Sequence, residues 1–116
     1  MPKLIDSFAH AFNGIAKAFA TQRNMQIHGV ILVIALIGGF YFNINSAEWI
    51  AIIICSGMVL SAEIINTAIE EIVNFISPGM NPKAGLIKDL AAGAVLITAI
   101  AAIIVGLIIF VPKMIS

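Results

Sequence analysis

From Leu90 to Phe110 the chain runs LAAGAVLITAIAAIIVGLIIF, 21 residues without one charged side chain. A helix needs about 20 apolar residues to cross a bilayer core roughly 30 Å thick. In hydrocarbon, only a segment that satisfies its own backbone hydrogen bonds is viable. Met25 to Phe42 is a second such run, with Gln26 and His28 the polar residues near its start. A third begins at Ala47, is largely apolar to Leu60, and then turns polar on one side as far as Phe75. Soluble domains carry roughly 25% charged residues, whereas this chain of 116 residues is 10% charged and 61% hydrophobic. It is therefore expected to form a single all-α integral membrane domain over residues 1–116, with spans at about 25–42, 47–75 and 90–111.

The segments between these runs add direction. Over residues 3–20, Leu4, Ile5, Phe8, Phe12, Ile15 and Phe19 recur at helical spacing, opposite Lys3, Asp6, His10, Asn13 and Lys17. That split suits an amphipathic helix lying flat in the membrane interface. Asn43–Ser46 reads as a tight turn flanked by the interfacial aromatics Tyr41 and Trp49, and Ser77–Gly85 as a longer connection marked by Pro78, Gly79 and Pro82. Lys3, Lys17, Arg23, Lys83 and Lys88 fall on one side of the expected spans and Lys113 on the other. The positive-inside rule then places the N-terminus and the Ser77–Lys88 segment in the cytoplasm, at a bacterial inner membrane, and the C-terminus outside. The opening MPKLIDSF has no apolar core or small-residue cleavage site, so a removable signal peptide is not expected. The single cysteine, Cys55, is expected to be a packing residue and can form no disulfide within the chain. No nucleic-acid partner is expected.

The stretch SAEIINTAIEEIVN, Ser61–Asn74, sets carboxylates at the end of an apolar segment, where an ionised acid costs at least a few kcal/mol. At 100° per residue, Glu63, Asn66, Glu70 and Asn74 share one helix face, with Thr67 beside them. Glu71 lies at the edge of that arc and reads as a solvated charge. Counting from Ala47, Glu63 falls near the inner edge of the hydrocarbon and Glu70 in the headgroup layer. His28 and the pair Lys88–Asp89 begin the other two spans at the same depth, where Asp89 suits the positive end of a helix. Three readings fit: polar groups joining helices, an ion- or proton-coupled transporter using Glu63, and an interfacial enzyme acting on a lipid hydroxyl. The outer halves of the spans are apolar, which favours the enzyme, with Glu63 as base and Glu70 as metal ligand. There is no P-loop and no Gly-rich kinase loop.

The sequence AEIINTAIEEIVN, followed by KDLAAGAVLI, resembles the signature of the small prokaryotic integral-membrane diacylglycerol kinases, which include undecaprenol kinases. The resemblance extends over AFNGIAKAF and RNMQIH and covers nearly the whole chain. It implies a homotrimer of three-span protomers that phosphorylates a membrane lipid alcohol with ATP and Mg²⁺, and hence a role in lipid metabolism. Carried over by position, Glu63 is expected to be the catalytic base, with Asn66 and His28 orienting the site. Glu70 would bind magnesium, with Gln22 beside it. Gly14, His10, Gln22, Asn74, Lys88 and Asp89 would meet the nucleotide. The I-H at Ile27–His28 is closer to the undecaprenol-kinase branch. Gln22, Asn74 and Gly79 stand where the family usually has acids, which implies either a magnesium site of reduced charge or a catalytically degenerate trimer.

Overall fold

The computed structural model describes residues 3–116 and, among them, four helices and no strand. These are α1 (Leu4–Thr21), α2 (Arg23–Tyr41), α3 (Ser46–Ile76) and α4 (Pro82–Met114). The last three are each long and apolar enough to cross a membrane, so the protein is a multi-pass membrane protein.

One residue separates α1 from α2. Gln22 is extended (φ −102°, ψ 117°) and turns the chain between the two helices. The Gln26 amide reaches back to donate to the Phe19 carbonyl at 2.9 Å, satisfying one of the carbonyls that a helix leaves open at its end. Across the same corner, Phe19 lies against Gly29, where an added Cβ would come within 3.0 Å of its ring. Ala18 and Met25, on either side of the bend, are buried. The apolar side chains of α1, among them Leu4, Phe8 and Phe12, are exposed, as an amphipathic helix at an interface requires.

At the opposite end of the molecule, α2 passes into α3 through a tight turn at Phe42–Asn45. Asn43 has φ 51°, a conformation that asparagine adopts more readily than most residues. Asn45 then caps α3. Its side chain accepts from the Glu48 N–H at 2.9 Å, and Glu48 Oε1 accepts from the Asn45 N–H at 3.0 Å, a reciprocal capping box. The buried cluster Ile44, Ile52 and Ile109 lies here, with Phe42, Trp49 and Phe110 packed against it. Lys113 of α4 adds an ion pair to Glu48, Nζ to Oε2 at 2.6 Å. Nothing at 65 residues' separation in the sequence announces that pair.

The connection between α3 and α4 is shorter than the sequence pattern implies. Residues 82–85, expected in the loop, are the first turn of α4. Asn81 caps that turn by accepting from the Lys83 N–H at 2.9 Å, and Pro82 opens it. Proline is suited to a first helical position, where its missing N–H has no intrahelical partner. Asp89 therefore lies about two turns inside α4, and the expected match between Asp89 and the positive end of the helix lapses, because that influence fades within the first turn.

With 31 and 33 residues, α3 and α4 are about 46 and 50 Å long at 1.5 Å per residue. Both exceed the hydrocarbon thickness. Their surplus length lets the polar end of α3 stand beyond the apolar layer.

Candidate functional site

The α3 face predicted from helical spacing is real, and its two innermost polar members are the most enclosed polar side chains among the described residues. Glu63 is 2% exposed and Asn66 8%. One helical turn joins each to a neighbour. The Thr67 hydroxyl donates to the Glu63 carbonyl at 3.0 Å, which keeps Thr67 on the helix and leaves the Glu63 carboxylate to other partners. The Asn66 Nδ2 donates to Glu70 Oε1 at 3.0 Å, aligning the second acid with the first.

Among the described residues, two buried side-chain oxygens have no hydrogen-bond partner, Glu63 Oε2 and Asn66 Oδ1. An unsatisfied buried group costs about 1–3 kcal/mol, more where charged, so a pair of them on one face marks a place built for something other than packing. His28 of α2 faces the same carboxylate, with Nε2 at 3.9 Å from Glu63 Oε2. That distance exceeds hydrogen-bond range but is short enough for a charge interaction when the imidazole is protonated. Thus α2 and α3 bring together two residues 35 apart in the chain, as their common depth suggested.

Further toward the connection, the Lys88 ammonium of α4 donates to Asn74 Oδ1 at 2.5 Å. Two of the expected nucleotide contacts are therefore in hand-to-hand contact, and the lysine is held over the end of α3. Asp89 is exposed beside it, and Glu71 is an exposed surface charge, as its position at the edge of the arc suggested. His10 and Gly14 are exposed on α1, and a Cβ at Gly14 would meet nothing within 4 Å. The amide of Gln22 donates to Thr21 Oγ1 at 3.4 Å. Glu70 lies on α3, whereas the extended Gln22 forms the corner between α1 and α2.

No group of three or more His, Cys, Asp or Glu side chains is gathered as a metal cage among the described residues. Mg²⁺ seldom uses one; it is commonly held by one or two carboxylates together with substrate phosphate oxygens. Glu70, with the orphaned amide oxygen of Asn66 next to it, meets that smaller requirement. The arrangement offers a buried carboxylate for a proton, an acid for a cation and a lysine for an anion, in order along one end of the helices.

The family model described as prokaryotic diacylglycerol kinase matches residues 9–110. The chain is 40% identical over 112 residues to the undecaprenol kinase of Bacillus subtilis, covering 97% of this chain and 91% of that protein. It is 36% identical over 116 residues to a diacylglycerol kinase of Synechocystis, covering 99% of this chain and 66% of that protein. Against the diacylglycerol kinase of Escherichia coli K12 the identity is 26% over 102 residues, with coverages of 88% and 84%. The matched region takes in α1's second turn through the far end of α4, and so every residue of the α3 face, and the protein belongs to the prokaryotic diacylglycerol kinase family.

Proposed function

We propose that this ATP-dependent lipid kinase transfers the γ-phosphate of ATP to a polyprenyl alcohol, undecaprenol in preference to diacylglycerol, at the cytoplasmic face of the membrane. The observation that carries the reading is the buried, unpartnered Glu63 Oε2, which the helical rise from Ala47 sets near the boundary of the apolar layer. A carboxylate placed there has a ready partner in the hydroxyl of a lipid whose tail stays in hydrocarbon. The greater identity to an undecaprenol kinase than to the diacylglycerol kinases supports the choice of acceptor.

In this mechanism the acceptor hydroxyl donates to Glu63 Oε2. As its oxygen attacks the γ-phosphorus, the O–H bond breaks and the proton passes to Glu63. The new O–P bond forms as the bond from the γ-phosphorus to the bridging oxygen breaks, and ADP leaves with that oxygen. A positioned base of this kind contributes typically 10²–10⁴-fold. His28 holds the carboxylate toward the acceptor and Asn66 holds Glu70. Lys88, supported by Asn74, meets the phosphates, whose positioning and neutralisation are the main demand in phosphoryl transfer. Magnesium, held by Glu70 and Asn66 Oδ1 with the phosphates, supplies further neutralisation when bound. Gly14 and His10 of α1, with Asp89, face the rest of the nucleotide, and Gln22 is a weak second magnesium ligand. The active unit is a homotrimer, in which α1 of one protomer can complete the site of another.

The test is transfer of labelled γ-phosphate from ATP in mixed micelles, with undecaprenol and diacylglycerol offered together at high Mg²⁺. Label on undecaprenol that disappears with Glu63→Gln supports the reading. Label on diacylglycerol instead reassigns the acceptor, and no label on either lipid from folded protein refutes the reading.

A further inference from the structure

Between α2 and α4, over α3, runs a groove of about 520 Å³ with almost wholly apolar walls. That volume is within the range of sites that hold small molecules. At one end its wall includes His28, the residue 3.9 Å from the unpartnered oxygen of Glu63. At the other it reaches Phe42 and Phe110, whose rings stand 6.1 Å apart, and its α4 wall continues to Val111 and Met114. Phe110 also closes over Gly38, where a Cβ would come within 3.2 Å of it. Between the ends, the α4 side is lowered by Ala99, Ala102 and Gly106, spaced to share one helix face.

The length of this groove selects its occupant. His28 to Phe42 spans about 21 Å at 1.5 Å per residue, whereas one leaflet of the hydrocarbon core is only about 15 Å deep. A tail confined to one leaflet would leave the Phe42 end unfilled. The geometry points to this groove as the seat of the first isoprene units of the acceptor's tail, those next to the hydroxyl, with the Phe42–Phe110 end setting how many of them seat. It fits a single chain that crosses the bilayer midplane, a polyprenyl tail, whose hydroxyl then lies beside His28 and Glu63. This inference rests on the proposed lipid phosphorylation but locates a separate specificity element, in the small residues of α4 and the aromatic stop.

Two measurements on the full-length protein in lipid nanodiscs test it. First, a polyprenol bearing a diazirine within its first isoprene units is photolysed and the adducts are mapped by mass spectrometry. Adducts on Ala35, Ala102 or Phe110, competed by unlabelled polyprenol, are expected; adducts confined to outward residues such as Ile53, Ile100 and Ile104 would overturn the assignment. Second, Ala102→Phe, and separately Gly106→Leu, should lower the ratio of kcat/KM for long over short prenols by at least tenfold. An unchanged ratio overturns it. So does an equal loss on all acceptors accompanied by a change in oligomer size, which would give the groove to a helix of a second copy. Photolabelling reads the groove whether or not phosphate is transferred, so failure of the kinase reading and failure of the tail assignment give different results.

Discussion

The Nε2 of His28 lies 3.9 Å from Oε2 of Glu63, an oxygen that is buried and has no hydrogen-bond partner. If Glu63 takes the acceptor's proton, Glu63→Gln keeps the shape of the side chain but removes the basic oxygen pair. Activity should fall by about 10²-fold or more, with the helical content by circular dichroism unchanged. In the proposed mechanism His28 acts by holding Glu63, so His28→Ala should act mainly on kcat and by a smaller factor, about tenfold. A His28→Ala loss as large as that of Glu63→Gln would instead make the histidine the base.

Magnesium should depend on Glu70 more than on any other side chain. Glu70→Gln keeps an acceptor for Asn66 Nδ2 but removes the charge, so the half-saturating Mg²⁺ concentration should rise by about tenfold or more. Gln22→Glu should move it the other way, since a second carboxylate is a stronger partner for this cation than an amide oxygen. Saturation at the same Mg²⁺ concentration with and without Gln22→Glu would remove Gln22 from the metal site.

The three spans were legible because apolar runs of spanning length leave a chain few alternatives. The polar α3 face was legible because Glu63, Asn66, Glu70 and Asn74 share one helix, where spacing alone sets direction. Relations between helices were not. The common depth of His28 and Glu63 could be counted along the chain, but their approach depends on how α2 rotates against α3. The Glu48–Lys113 pair and the α2–α4 groove are packing outcomes of the same kind. The start of α4 was misplaced for a local reason: Pro82, with Pro78 and Gly79, reads as part of a connection, whereas Asn81–Pro82 is a cap followed by a first-turn proline.

The far end of the bundle should respond to the loss of its ion pair in stability and not in catalysis. Lys113 donates to Glu48 Oε2 at 2.6 Å and to the Ile109 carbonyl at 3.1 Å. Its removal in Lys113→Met leaves Glu48 without its cation. Both side chains are partly exposed, 28% and 21%, so solvent screening keeps the loss small. The midpoint of thermal unfolding in micelles should fall, and the double variant with Glu48→Gln should lose less than the sum of the single changes.

Gly39 should tolerate no side chain. A Cβ there would stand 2.5 Å from Trp49 Cη2 and 3.1 Å from Ile44 Cδ1, against the turn and the buried cluster it supports. Gly39→Ala must displace the Trp49 ring, at a cost of about 1–3 kcal/mol. The intrinsic fluorescence of Trp49, the chain's single tryptophan, reports the displacement directly. An unshifted spectrum and unchanged stability would show that the turn is looser than this contact requires.

Gly14 separates a nucleotide contact from a structural role. It lies within α1, exposed, and an added Cβ meets nothing within 4 Å. Gly14→Ala should therefore stabilise α1 by up to about 1 kcal/mol through helix propensity. If ATP packs against this position, bulk there must act on the nucleotide, and Gly14→Leu should raise the KM for ATP several-fold while leaving the KM for the lipid acceptor in place. A folded, more stable Gly14→Leu protein with an unchanged KM for ATP would move the nucleotide off this face of α1. A rise in both KM values would place the glycine where α1 meets the acceptor as well.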